Sequence, residues 1–192
     1  METEITVELL ENTTSTLLKL EKLGFEEKEK VLMTDYYLSK LSLEELKQLD
    51  YPELIKNSFL VRTVKTDNYE TNQIIFKKKV LDNNNNVIAE EKIKTNISDL
   101  TSTLKIFKES GITNYTILTQ KMTVVSNGSI EFVIQEIDDL GVFIEYEEDD
   151  TMTKLSEQEK INMMLNNLKK LELKIGNDYS CKKVYLKFHN TK

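Results

Sequence analysis

The sequence has no tryptophan, one cysteine, one proline, one histidine and five glycines in 192 residues. With Cys181 alone, no disulfide can form within the chain, which suits a reducing compartment. Cys181 and His189 together fall short of the His/Cys set of a structural zinc site. Any metal would therefore be held mainly by oxygen ligands, which favours Mg²⁺ or Mn²⁺. The scattered glycines form no glycine-rich phosphate loop, and neither a GxSxG elbow nor an HExxH pair is present. No apolar run approaches the roughly 20 residues of a membrane helix, and the N-terminus lacks a signal-peptide pattern. A cytoplasmic protein without a membrane partner is expected. A basic excess is missing too. Lysine and arginine number 26 against 33 acidic residues, a net charge of −7. This argues against nucleic acid as a partner, since binding the phosphate backbone needs a basic face. A small anion stays open, because a site can be basic inside an acidic protein.

What is present reads as globular. Hydrophobic residues make up 39% and charged residues 31%, and 22.4 kDa fits one domain over 1–192. No repeat or linker interrupts it. Helical signals occur at 12–23, where Leu17, Leu18 and Leu20 precede Gly24, and at Ser42 with Glu45, a capping box before a helix ending near Leu49. Two more open at Ser98, running to Gly111, and at Ser156 with Glu159, running through Met164 and Leu168 towards Gly176. Strand-like runs fill 2–10, 32–38, 58–65, 73–80, 87–94, 115–125, 129–137, 142–147 and 184–188. Short connections join most of them, with 83–86 as a solvated hairpin turn. The expected fold is α+β: a closed or nearly closed antiparallel β-barrel (tunnel) of about eight strands with flanking helices.

Side chains alternate between the faces of a strand, so residues two apart share one. On the first strand Ile5, Val7 and Leu9 form an apolar face and Glu2, Glu4, Thr6 and Glu8 the other. On the strand at 142–147, Val142, Ile144 and Tyr146 oppose Phe143, Glu145 and Glu147. Like charges so close cost free energy unless a cation or water screens them. A solvated outer face would explain one such strand. Other strands, however, carry cations in the same manner: Arg62 between Leu60 and Val64, Lys77 with Lys79, Lys121 with Thr119, and Lys183 and Lys187 with Tyr185. Acidic and basic strands sharing one sheet face suggest a lumen holding a divalent metal at one wall and phosphates at the other.

The order of these motifs resembles the CYTH superfamily, the triphosphate tunnel metalloenzymes that include class IV adenylyl cyclases and thiamine triphosphatases. Glu2-Thr3-Glu4-Ile5-Thr6 resembles the family's ExExK strand. Leu23-Gly24, Asp35-Tyr36-Tyr37, Phe59-Leu60-Val61-Arg62 and Ile74-Ile75-Phe76-Lys77 follow in family order, with Glu90 or Glu91 as an acidic residue on the hairpin partner. The most specific piece, 138–147, is similar to the ending LG-x-F-x-E-x-E, and Gly176-Asn177-Asp178-Tyr179 to the C-terminal element. The resemblance implies a tunnel that binds a triphosphate, polyphosphate or nucleotide with Mg²⁺ or Mn²⁺. It assigns Glu2, Glu4, Glu145 and Glu147 to the metal, Arg62, Lys77, Lys121 and Lys183 to the phosphates, and Glu145, Glu147 and Arg62 to catalysis. Three positions depart from the pattern: Thr6 replaces the lysine of ExExK, Leu60 the first arginine of R-x-R, and Gln135 an aspartate. Glu4-Thr6-Glu8 is an alternative register of the first motif. A metal-dependent phosphohydrolase, in a narrower form an adenylyl cyclase, is expected. The alternative is a non-catalytic nucleotide or polyphosphate binder with a degenerate site.

Overall fold

The computed structural model of the protein describes residues 3–81, 87–180 and 182–190, except the side chains of 79, 81 and 87–90. The turn expected at 83–86 lies outside the described residues. The elements run β1 (Glu4–Leu9), α1 (Thr13–Lys22), β2 (Glu26–Ser39), α2 (Leu43–Lys47), α3 (Tyr51–Lys56), β3 (Phe59–Lys65), β4 (Glu70–Leu81) and β5 (Val87–Ile97). Then come α4 (Leu100–Glu109), β6 (Thr113–Ser126), β7 (Glu131–Ile137), β8 (Gly141–Glu147), α5 (Glu157–Lys169) and α6 (Lys183–Asn190). Among the described residues, no helix is long and apolar enough to cross a membrane.

The helix ends obey local chemistry. Asn12 accepts the Ser15 backbone N–H at 2.8 Å, and α1 stops at Gly24, whose φ of +86° suits a residue without Cβ. At α2 the Glu45 carboxylate accepts the Ser42 N–H at 2.8 Å, closing the expected capping box. Asp99, not Ser98, caps α4. The only proline, Pro52, lies in the first turn of α3, where its missing N–H costs nothing, and Asp50 caps that helix.

The strands form one antiparallel sheet in the order β1-β8-β7-β6-β2-β3-β4-β5. Eight strands and flanking helices match the expectation; closure does not. No ladder joins β1 to β5 among the described residues, so the sheet is curled rather than closed into a barrel. The backbone of β1 is already engaged elsewhere. The Thr6 N–H donates to the Tyr179 carbonyl at 3.0 Å, Leu10 to Lys174 at 2.7 Å, and the Gly176 N–H to Glu8 at 2.8 Å. The 174–180 segment thus covers the edge that a closed barrel would give to β5. Side chains bridge the gap, with the Lys92 ammonium of β5 lying 3.4 Å from the Glu4 carboxylate of β1.

The main core lies on the sheet face away from the enclosed space. There Ile5, Val7 and Leu9 meet Phe132, Ile134, Ile144 and Tyr146, and Leu20 of α1 with Ile161, Met164 and Leu168 of α5 covers them. A second cluster joins α2, α3 and α6 through Leu46, Tyr51, Leu54, Ile55, Tyr115, Val184 and Phe188. It overturns the expected strand at 184–188, which is helix α6. Alternation of Val184, Leu186 and Phe188 imitates a strand, but only Val184 and Phe188, four apart, are buried, while Leu186 is 39% exposed.

Candidate functional site

A cavity of about 240 Å³ opens inside the curl of the sheet. Alternation explains its acidic wall. With Ile5, Val7 and Leu9 in the core, Glu4 and Thr6 must point inwards; with Ile144 and Tyr146 in the core, so must Glu145 and Glu147. Antiparallel register sets Glu4 opposite Glu147 and Thr6 opposite Glu145. One carboxylate oxygen from each of Glu4, Glu145 and Glu147 lies within 4.8 Å of the others. Three hard oxygen donors suit Mg²⁺ or Mn²⁺, and among the described residues no His or Cys joins the group.

The facing wall is basic. Lys77 of β4 and Lys92 of β5 are direct cross-strand partners and both line the cavity. Lys92 lies 3.4 Å from Glu4 and 4.0 Å from Glu147, and so partly screens the acidic wall. Arg62 of β3 lines the cavity while bound to Asp35, its cross-strand partner on β2; Nε and Nη2 donate to the two carboxylate oxygens, both at 2.7 Å. Burial would favour loss of the guanidinium proton, but the Asp35 charge and paired hydrogen bonds outweigh it and raise the Arg62 pKa. Asp35 is 1% exposed, so this pair is a fixed part of the wall.

Glu145 is held by three donors. Its Oε2 accepts from Gln135 Nε2 at 2.9 Å, Lys183 Nζ at 3.1 Å and Thr6 Oγ1 at 3.3 Å. Burial alone would raise its pKa. The charges of Lys183 and Lys77, with the hydrogen bonds from Gln135 and Lys183, instead hold it well below the usual carboxylate range. Glu145 is therefore ionised at neutral pH. Beyond the charged walls the lining turns apolar and aromatic, with Tyr37, Tyr51, Ile55, Leu60 and Val184.

The structure thus brings together Glu4, Glu145, Glu147, Arg62, Lys77 and Lys183 from the expected set, with Lys183 delivered by a helix and not a strand. Lys121 is a correction. Gln120 and Met122 line the cavity, so Lys121 between them faces outwards, 67% exposed and 3.7 Å from Glu136. Glu2 and the side chains of Lys79 and Glu90 lie outside the described residues. Glu91 faces outwards beside Lys78 at 3.7 Å, and Glu8 packs against Gly176 away from the cavity. Sequence reasoning missed Lys92 as a lining residue, and it gave Asp35 no part in the site. Both could have been found from register, because each lies directly across the ladder from an assigned cation.

No family model matches the chain, and no curated protein matches its sequence. Solved structures do match. The PH1819 protein of Pyrococcus horikoshii superposes with a TM-score of 0.70 at 14% identity, over 96% of this chain and 98% of that one. A candidate adenylate cyclase of Vibrio parahaemolyticus gives 0.61 at 15% identity, over 96% and 97%. HpAC1 of Hippeastrum, described as a candidate adenylyl cyclase with a dominant triphosphatase activity, gives 0.60 at 13% identity, over 100% and 97%. The chain has their fold. This agrees with the CYTH resemblance read from the motif order, and it extends over nearly the whole length of each partner. At such identities the likeness concerns the fold, and the chemistry must be argued from the residues of this chain.

Proposed function

We propose that the protein is a metal-dependent phosphohydrolase that binds a triphosphate, polyphosphate or nucleotide in the cavity. The observation that carries this is the meeting of the Glu4, Glu145 and Glu147 carboxylates with Lys77, Lys92 and Arg62 across one small enclosed space. A Mg²⁺ or Mn²⁺ ion held by the three carboxylates would polarise a phosphoryl group and offset its charge. Lys77 and Lys92 neutralise phosphoryl oxygens from the facing wall, and the Arg62 guanidinium, oriented by Asp35, adds fixed positive potential. Glu145 carries no proton at neutral pH, because Lys183 and Gln135 hold it ionised. In phosphoryl transfer most of the catalysis is positioning and charge neutralisation, which is what these walls provide.

A degenerate binding tunnel is the second reading, and Thr6 and Gln135 favour it. Neither brings charge, and both are spent as donors to Glu145. A screen of Mn²⁺ and Mg²⁺ with tripolyphosphate, thiamine triphosphate and ATP separates the two. Phosphate release that falls to background in Glu145→Gln/Glu147→Gln supports the hydrolase. Metal-dependent binding without release supports the binder. Pyrophosphate with a cyclic nucleotide as products would mark the cyclase form, and neither binding nor turnover would sink all of them.

A further inference from the structure

Glu145 stands between two cation positions. On one side its neighbours are the carboxylates of Glu4 and Glu147. On the other, the Lys183 ammonium lies 2.7 Å from Gln135 Oε1 and 3.1 Å from Glu145 Oε2. We propose that the Lys183 ammonium is a built-in cation that occupies the place of a second divalent ion, so that the cavity loads its phosphate ligand with one divalent ion and not two. This rests on the reading of Glu4, Glu145 and Glu147 as a metal site.

The donor set on the second side fits an ammonium better than a divalent ion. Gln135 offers a neutral carbonyl oxygen where a carboxylate would be needed for strong Mg²⁺ or Mn²⁺ binding. Its amide nitrogen donates to Glu145 at 2.9 Å, which ties down the carboxylate oxygen that the ammonium shares. Thr6 donates to the same oxygen at 3.3 Å, so its three partners are all donors. A metal using that oxygen would have to expel them. The ammonium itself is firmly placed. Val184 and Phe188 anchor α6 in a buried apolar cluster, and Lys187 holds the helix to Asp139 at 2.8 Å. Lys183 also sets a positive charge close to the Thr6 hydroxyl, where the strand itself provides none.

The test counts Mn²⁺ by electron paramagnetic resonance, titrated into the full chain with saturating tripolyphosphate. The wild type should bind one ion per chain. Gln135→Glu/Lys183→Met, which supplies a carboxylate and removes the ammonium, should bind two. Gln135→Glu alone should stay at one, because the ammonium pairs with the new carboxylate, and this variant retains the Lys183 ammonium if the double variant does not fold. Lys187→Met should also stay at one. Two ions in the wild type or in Gln135→Glu would overturn the proposal while leaving the metal site standing. A folded double variant that binds only one ion would do the same. No ion in the wild type would overturn the metal site and the proposal together.

Discussion

β1 and β8 present opposite chemistry on their two faces from alternating residues. Ile5, Val7, Ile144 and Tyr146 on one face are almost completely buried against α1 and α5. Glu4, Thr6, Glu145 and Glu147 on the other enclose a polar cavity. The contrast divides labour: the apolar face holds the fold together, and the polar face is free to hold charges that a core would not tolerate. Asp35 is a charged exception, because it belongs to the cavity wall yet is 1% exposed, with Arg62 half-buried beside it. Substitutions on each face can break or sharpen this division.

The largest effect is expected at the exception. Asp35→Ala leaves the half-buried Arg62 guanidinium without the partner that fixes it and should cost roughly 3–5 kcal/mol in denaturant unfolding. Replacing both as Asp35→Leu/Arg62→Met should recover most of that loss while leaving tripolyphosphate binding weak. Ile144→Ala, on the apolar face, should cost about 2–5 kcal/mol because the site is fully buried and a cavity remains. Its ligand affinity, measured well below the unfolding transition, should stay near wild type. A loss of affinity there would break the division of labour.

How far the contrast could be read from the sequence depends on how locally it is specified. Period-two alternation of Ile5, Val7 and Leu9 against Glu4 and Thr6 is a property of one strand, and it correctly placed both faces. The capping boxes at Ser42 and Ser156 are equally local. Features set by tertiary packing were harder to see. Val184, Leu186 and Phe188 fit a period of two as well as the i, i+4 pair that α6 buries, so helix and strand could not be separated by pattern alone. Lys121 looked like a lumen residue because its strand alternates weakly, with Thr119 and Lys121 on one face and Gln120 and Met122 on the other. Barrel closure depended on what 174–180 does to the edge of β1, which nothing within β1 reveals.

Smaller effects sharpen the picture. Lys77→Met removes one charge from the basic wall without a core cavity and should weaken tripolyphosphate binding about 10–100-fold in calorimetry, the equivalent of one charge-assisted contact. Its unfolding free energy should change by less than about 1 kcal/mol. At the foot of β8, burial would raise the Glu148 pKa, but hydrogen bonds from Lys160 (2.6 Å) and Thr3 outweigh it and lower it. A depressed carboxylate pKa stabilises the fold fully above the unfolded value of 4.5 and is lost as pH falls through the folded value. Between about pH 6 and pH 3, wild-type Tm should therefore fall more than that of Lys160→Met, for which this linkage is already gone.

The most direct test of the central claim is isothermal titration of tripolyphosphate into the protein, with Mn²⁺ and with EDTA, for the wild type and Glu145→Gln/Glu147→Gln. Binding should require Mn²⁺ and disappear in the double variant, while that variant still unfolds cooperatively. Equal affinity with and without Mn²⁺, or in both proteins, would contradict it.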